Sequence, residues 1–92
     1  MLTNGEVKDH LGIMLEKEYF LPRKLSIYRV AKDTGVSKKM LCGVLSGRRR
    51  LPVQDALVLA RYFGREEDFF ARAQLEYELR IEKKRIPPIL QL

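Results

Sequence analysis

The sequence predicts one all-α domain of five helices, with a helix-turn-helix at about residues 26–46. Three observations predict it. Apolar residues recur at helical spacing in every segment, with no alternating strand pattern. Capping residues, prolines and glycines punctuate those segments and leave only short connections. The chain has 92 residues, 46% of them hydrophobic, which is enough for a single small core. The whole of 1–92 is therefore expected to be one domain.

The first helix is expected over residues 6–20. Val7, Leu11, Met14 and Leu15, with Ile13 at the margin, make one apolar stripe. Glu6 and Asp9 suit the positive end of its dipole. Either Thr3 or Asn4 caps it, and Glu6 completes a capping box if Thr3 takes that place. His10 falls within this helix as a surface or packing residue. Pro22 ends the helix, because the residue before a proline is pushed out of the α region.

The second and third helices are expected over 26–33 and 37–46. Ser26 caps the second, with Val30 and Ala31 inward. Gly35 supplies the positive φ of a sharp reversal. Ser37 caps the third, in which Leu41, Val44 and Leu45 recur at helical spacing. Two short helices joined by a tight glycine turn make a helix-turn-helix. Cys42, between inward Leu41 and outward Gly43, is expected to be a small filler at the core edge.

Arg48, Arg49, Arg50, Leu51 and Pro52 form a loop, with Pro52 placed to start a fourth helix over 53–63. Its buried side is Ala56, Leu57, Leu59, Ala60 and Phe63, and Gly64 stops it. The fifth and longest helix is expected over 66–84. Glu66, Glu67 and Asp68 are placed in its first turn, and Lys83, Lys84 and Arg85 in its last. Its apolar residues exceed what one packed face needs, so a second copy is expected to cover part of it. Phe69, Phe70, Leu75 and Leu79 are the set from which that homodimer interface is drawn. The tail 86–92 cannot continue a helix past Pro87. It is either disordered or an extended arm.

Composition narrows the chemistry. The formal net charge is +6, which permits a polyanionic partner without proving one. Position says more: Lys38, Lys39, Arg48, Arg49 and Arg50 cluster in or just after the third helix, while the acids fall mainly elsewhere. No apolar run approaches a membrane span, and the N-terminus lacks a secretory signal. With a single cysteine, this points to a cytoplasmic protein. One cysteine and one histidine make no zinc site unaided, and no pair of carboxylates at diagnostic spacing is joined by a nucleophile or a phosphate-binding glycine loop. No catalytic residue, metal or cofactor is expected.

Double-stranded DNA suits the remaining features. Ser37 leaves backbone N–H groups at a helix start, where a phosphate fits. Lys38 and Lys39 lead that helix into the major groove, where lysine donates to guanine O6 and N7. Met40 either touches a thymine methyl or leans on the second helix. Ser26, Tyr28 and Arg29 lie where phosphate contacts are expected. Arg48, Arg49 and Arg50 suit flanking phosphates, which position without specifying sequence. A dimer would set two such units on a palindromic operator, about one helical turn apart.

Residues 5–82 resemble the HigA (VapI-like) antitoxins of the Xre, or lambda-repressor-like, helix-turn-helix group. Leu25 to Lys32 followed by Gly35-Val36-Ser37 matches the helix-turn-helix of the group. Leu45 to Leu51 resembles its closing "L-N-G-K-R-x-I", and Ala56 to Gly64 resembles "A-L-R-L-A-R-x-F-G". Asp68-Phe69-Phe70 with Gln74 to Leu79 resembles the HigA-type C-terminal segment. The resemblance implies a lambda-repressor-like fold, repression of the protein's own operon and neutralisation of a RelE-like mRNA-cleaving toxin. The chain departs from the pattern in places. Thr3 and Asn4 replace an opening "H-P", Phe70 replaces a Trp, and Ile27 stands where a polar phosphate contact is usual. Gly43 stands where a long base-reading side chain is usual, which concentrates the expected reading on Lys38, Lys39 and Met40. The net positive charge keeps an orphan regulator without a toxin open, because such toxins are themselves basic. An interaction domain that never touches DNA is the third reading.

Overall fold

Five helices and a terminal turn form from residues 10–90, which the computed structural model describes; among them there is no strand. The expected roles of Thr3, Asn4, Glu6, Val7 and Asp9 lie outside the described residues. Helix α1 starts at Leu11, later than expected. His10 is extended (φ −143°, ψ 164°), and its Nδ1 accepts a hydrogen bond from the Gly12 N–H at 3.0 Å. The histidine is thus a cap, and not a mid-helix residue. The helix is α over Leu11–Met14 and continues as π-helical turns over Leu15–Phe20. The i→i+5 pattern, seen where Leu21 donates to the Glu16 carbonyl at 2.9 Å, brings Phe20 onto the face of Leu15. Leu15, Tyr19 and Phe20 are all buried.

Helices α2 (Ile27–Thr34) and α3 (Lys38–Leu45) form as the capping residues dictate. Ser26 Oγ accepts from the Arg29 N–H, and Ser37 Oγ from the Met40 N–H, both at 3.0 Å. Gly35 closes α2 with φ 84° and donates back to the Ala31 carbonyl. Thr34 secures the turn twice. Its hydroxyl donates to the Val30 carbonyl at 2.7 Å and accepts from the Val36 N–H at 3.1 Å.

Helix α4 (Val53–Tyr62) begins after Pro52, which takes the cap position itself and accepts from the Ala56 N–H at 2.9 Å. Helix α5 (Phe69–Arg85) starts three residues later than expected. Glu66, Glu67 and Asp68 therefore precede it and do not occupy its first turn. Glu67 pairs with Arg61 of α4, and Asp68 with Arg72 one turn into α5. Lys83, Lys84 and Arg85 do fill the last turn of α5, where cations suit the dipole. A 3-10 turn, Pro88–Leu90, follows with its side chains exposed.

The core collects Leu15, Val30, Leu41, Leu51, Leu59 and Phe70, each essentially removed from solvent. Tyr19 meets the Phe63 and Phe70 rings, both at 5.1 Å, in tilted and edge geometry. Arg23 lies over Tyr19 and Phe63, sealing that end with a cation on the ring faces. Four expectations are corrected here. Leu57 is exposed on α4, and Cys42 is exposed on α3. Gly43 is buried, not outward. Phe70 is wholly buried inside the protomer, so it cannot meet a second copy.

Candidate nucleic-acid interface

The position of α3 is set at both ends. At its start, the Lys38 ammonium lies 5.4 Å from the Tyr28 ring centre, joining the first turns of α2 and α3. At its end, α1 abuts the last turn of α3. A Cβ on Gly12 would lie 2.2 Å from the Val44 carbonyl oxygen, and one on Gly47 would lie 2.6 Å from the His10 ring. Only glycines permit that approach, and Gly47 also holds φ 83° as the chain leaves the helix.

The loop after α3 is fastened to α5. Gln74, buried on α5, accepts from the Leu51 N–H through Oε1 at 2.6 Å and donates from Nε2 to the Leu51 carbonyl at 2.8 Å. One side chain thus satisfies both backbone groups of a fully buried residue. Beside it, Arg50 grips Glu78 through two parallel hydrogen bonds of 2.7 and 3.0 Å. The carboxylate holds the Arg50 guanidinium above its ordinary pKa.

The expected contact residues fall into distinct groups. Ser37, Lys38 and Lys39 are exposed at the start of α3, and Met40 is half-buried against the core. Ser26 and Tyr28 are exposed at the start of α2. Arg29 is exposed but bound to Asp33 at 2.9 Å, and Asp33 also accepts from the Tyr62 hydroxyl at 2.5 Å. These bonds, the tyrosine's first and then the arginine's, draw the Asp33 carboxyl below its usual range. The same aspartate raises the pKa of the Tyr62 hydroxyl and that of Arg29. The network ties α2 to α4.

Charge is distributed unevenly. Among the described residues, Lys38, Lys39, Arg48 and Arg49 are exposed and form no ion pair. Arg29, Arg50, Arg61, Arg72 and Arg85 are each neutralised by a carboxylate. Lys17, Lys24, Lys32 and Lys84 are likewise exposed without an ion pair, but the four cations at the start of α3 and on the loop after it share one short stretch of chain, Lys38 to Arg49, a field suited to phosphate oxygens. Among the described residues, no group of histidine, cysteine, aspartate or glutamate could hold a metal ion, and no helix is long and apolar enough to cross a membrane.

Comparison with known proteins places the chain. No family model matches it. Virulence-associated protein I of Dichelobacter nodosus is 31% identical over 75 residues, covering 82% of this chain and 69% of that protein. The chain belongs to the VapI-like, HigA-type family of the Xre helix-turn-helix group. Two solved structures share its fold. The crystal structure of PA4674 from Pseudomonas aeruginosa in complex with its 18-bp operator DNA superposes with a TM-score of 0.83 at 23% identity, over 89% of this chain and 88% of that one. The Pseudomonas aeruginosa antitoxin HigA with the higBA promoter superposes at 0.78 and 25% identity, over 88% and 97%. The family's all-helical frame is the one described above.

Several residues that shape this HigA-type surface escape sequence reasoning. Gln74 carries a signal in hindsight: it lies four residues after Phe70, inside the buried stripe of α5, where an uncharged polar side chain needs partners. The cap by His10 and the close approach at Gly12 carry none, because both depend on where α1 meets α3. Glu78 gives only a charge on a helix, and its partner is 28 residues away.

Proposed function

We propose that this protein is a sequence-specific, dimeric DNA-binding repressor that inserts the start of α3 into the major groove. The observation that carries this is the set of cations without an ion pair, Lys38 and Lys39 at the Ser37-capped start of α3 and Arg48 and Arg49 on the loop after it. Exposed N–H groups and a positive dipole end favour a phosphate there. Lys38 and Lys39 are placed to reach base edges, and Arg48 to reach flanking backbone. Ser26 and Tyr28 extend the backbone contacts along α2, with Arg29 joining them on release from Asp33. Leu75 and Leu79, one turn apart on α5 and each about half exposed (50% and 48%), form the homodimer contact with Phe69 at its edge. Promoter DNA in the HigA structure supports the same use of the fold.

The finer reading is that of a type II antitoxin, which represses its own operon and neutralises a RelE-like toxin by direct contact. Family membership supports it. The net charge of +6 favours the second reading, an orphan regulator, since a basic toxin gains nothing from a basic partner.

A mobility-shift titration against the region upstream of its own gene tests the repressor reading. A specific shift at moderate salt is expected, and binding no tighter than to random duplex refutes it. Lys38→Ala with Lys39→Ala should abolish the preference for that site. Co-purification with the product of the adjacent gene separates antitoxin from orphan regulator.

A further inference from the structure

The three consecutive arginines after α3 have three different fates. Arg50 is spent on Glu78. Arg48 is exposed without an acidic partner among the described residues. Arg49 folds back across α3 itself. A Cβ added at Gly43 would lie 2.7 Å from Arg49 Cδ, 2.8 Å from its Cγ and 3.1 Å from its Cβ. The stem of Arg49 therefore occupies the volume that any side chain at 43 would fill. Its Nη1 then reaches to 4.0 Å from the Met40 thioether, one turn nearer the start of the helix. The backbone is set for this path, because both Arg48 and Arg49 donate their N–H to the Gly43 carbonyl, at 2.9 and 3.1 Å.

A phosphate contact needs only reach and charge. A base contact needs a donor held in one place, and the planar fork of an arginine matches two acceptors at once. Arg49 meets the second requirement, since the glycine slot fixes its stem and Met40 borders its head. The guanidinium arrives beside the helical turn that begins with Lys38 and Lys39, and no carboxylate competes for it among the described residues. The geometry points to Arg49 as a specificity-determining residue: laid through the Gly43 slot, it presents its guanidinium to a base edge, with guanine O6 and N7 the matching acceptors. It thus supplies from the loop the long side chain that α3 lacks at position 43. This assignment rests on the DNA-binding reading and goes beyond it, because there the arginine loop only grips phosphates.

Fluorescence anisotropy with the protein's own upstream region and with a random duplex, across a salt series, tests it. Arg49→Lys keeps the charge and loses the fork. It should weaken the specific site by about tenfold to a hundredfold, the worth of one bidentate base contact, and leave random-duplex affinity and the salt slope unchanged. Gly43→Ala keeps every charge but displaces the Arg49 stem, and should give the same loss with no drop in thermal stability, alanine being the better helix former. Wild-type affinity of Arg49→Lys or Gly43→Ala for the specific site overturns the assignment, as does an equal fall on both duplexes. A wild-type protein that binds both duplexes equally is a different result, and it refutes the DNA reading itself.

Discussion

Replacing Gln74 with leucine removes two hydrogen bonds and almost no volume. Leu51 is fully buried, so its N–H and C=O have no water to turn to when the amide is gone. Each buried orphan costs about 1–3 kcal/mol, and the extra apolar burial returns roughly 1–2 kcal/mol. At mid-range the net loss is about 2.5 kcal/mol, within a span of roughly 0–5, a large share of the ~5–15 kcal/mol that holds a small domain together. Urea unfolding followed by far-UV circular dichroism measures it. Arg50→Gln is the internal control, because it cuts the neighbouring Arg50–Glu78 tie between the same loop and the same helix. That pair is exposed, and its loss should cost less than about 1 kcal/mol. If Gln74→Leu costs no more than Arg50→Gln, the buried amide is not what fastens the loop.

Three further outcomes are expected. Gly12→Ala drives a Cβ into the backbone carbonyls of Val44 and Leu45, which cannot rotate away, so it should destabilise by about 1–3 kcal/mol in the same unfolding assay; an unchanged midpoint refutes the close packing of α1 on α3. Leu75→Glu with Leu79→Glu should yield a folded monomer in sedimentation velocity, and a persistent dimer would move the interface off this face of α5. Asp33 has a lowered pKa, so its bonds stabilise the fold above the usual carboxylate range and that contribution is lost as pH falls through its folded value. Asp33→Asn should therefore flatten the acid limb of the stability profile below about pH 4, and a steeper limb would contradict the sign.

The helix-turn-helix is legible in the sequence because its determinants are local. Ser26 and Ser37 satisfy N–H groups three residues away, and Gly35 meets a backbone requirement of its own position. The start of α5 misleads for a physical reason. Glu66, Glu67 and Asp68 look like first-turn acids, yet Glu67 is drawn to Arg61 across a turn and the helix begins after it. Gly43 misleads in the opposite way. Sequence periodicity puts it outward, and only the return of a loop arginine buries it. Phe70 shows that an excess of apolar residues on α5 does not reveal their direction, since the core takes Phe70 whole and leaves Leu75 and Leu79 outside. At the candidate interface, residue types and spacing are enough to point to DNA. Which arginine is tethered and which is free depends on partners 28 residues distant.

Gln74 and Leu75 are neighbours in the chain, about 1.5 Å apart along the axis of α5. One holds the exit of α3 and the other is half exposed on the outer face of the helix. In a dimer built on Leu75 and Leu79, the distance and twist between the two α3 helices are transmitted through a single rigid turn, with no hinge between. Such a pair works as a fixed caliper. An operator lengthened by one base pair turns its far half-site by about 35° around the duplex axis, and this frame has no soft element with which to follow.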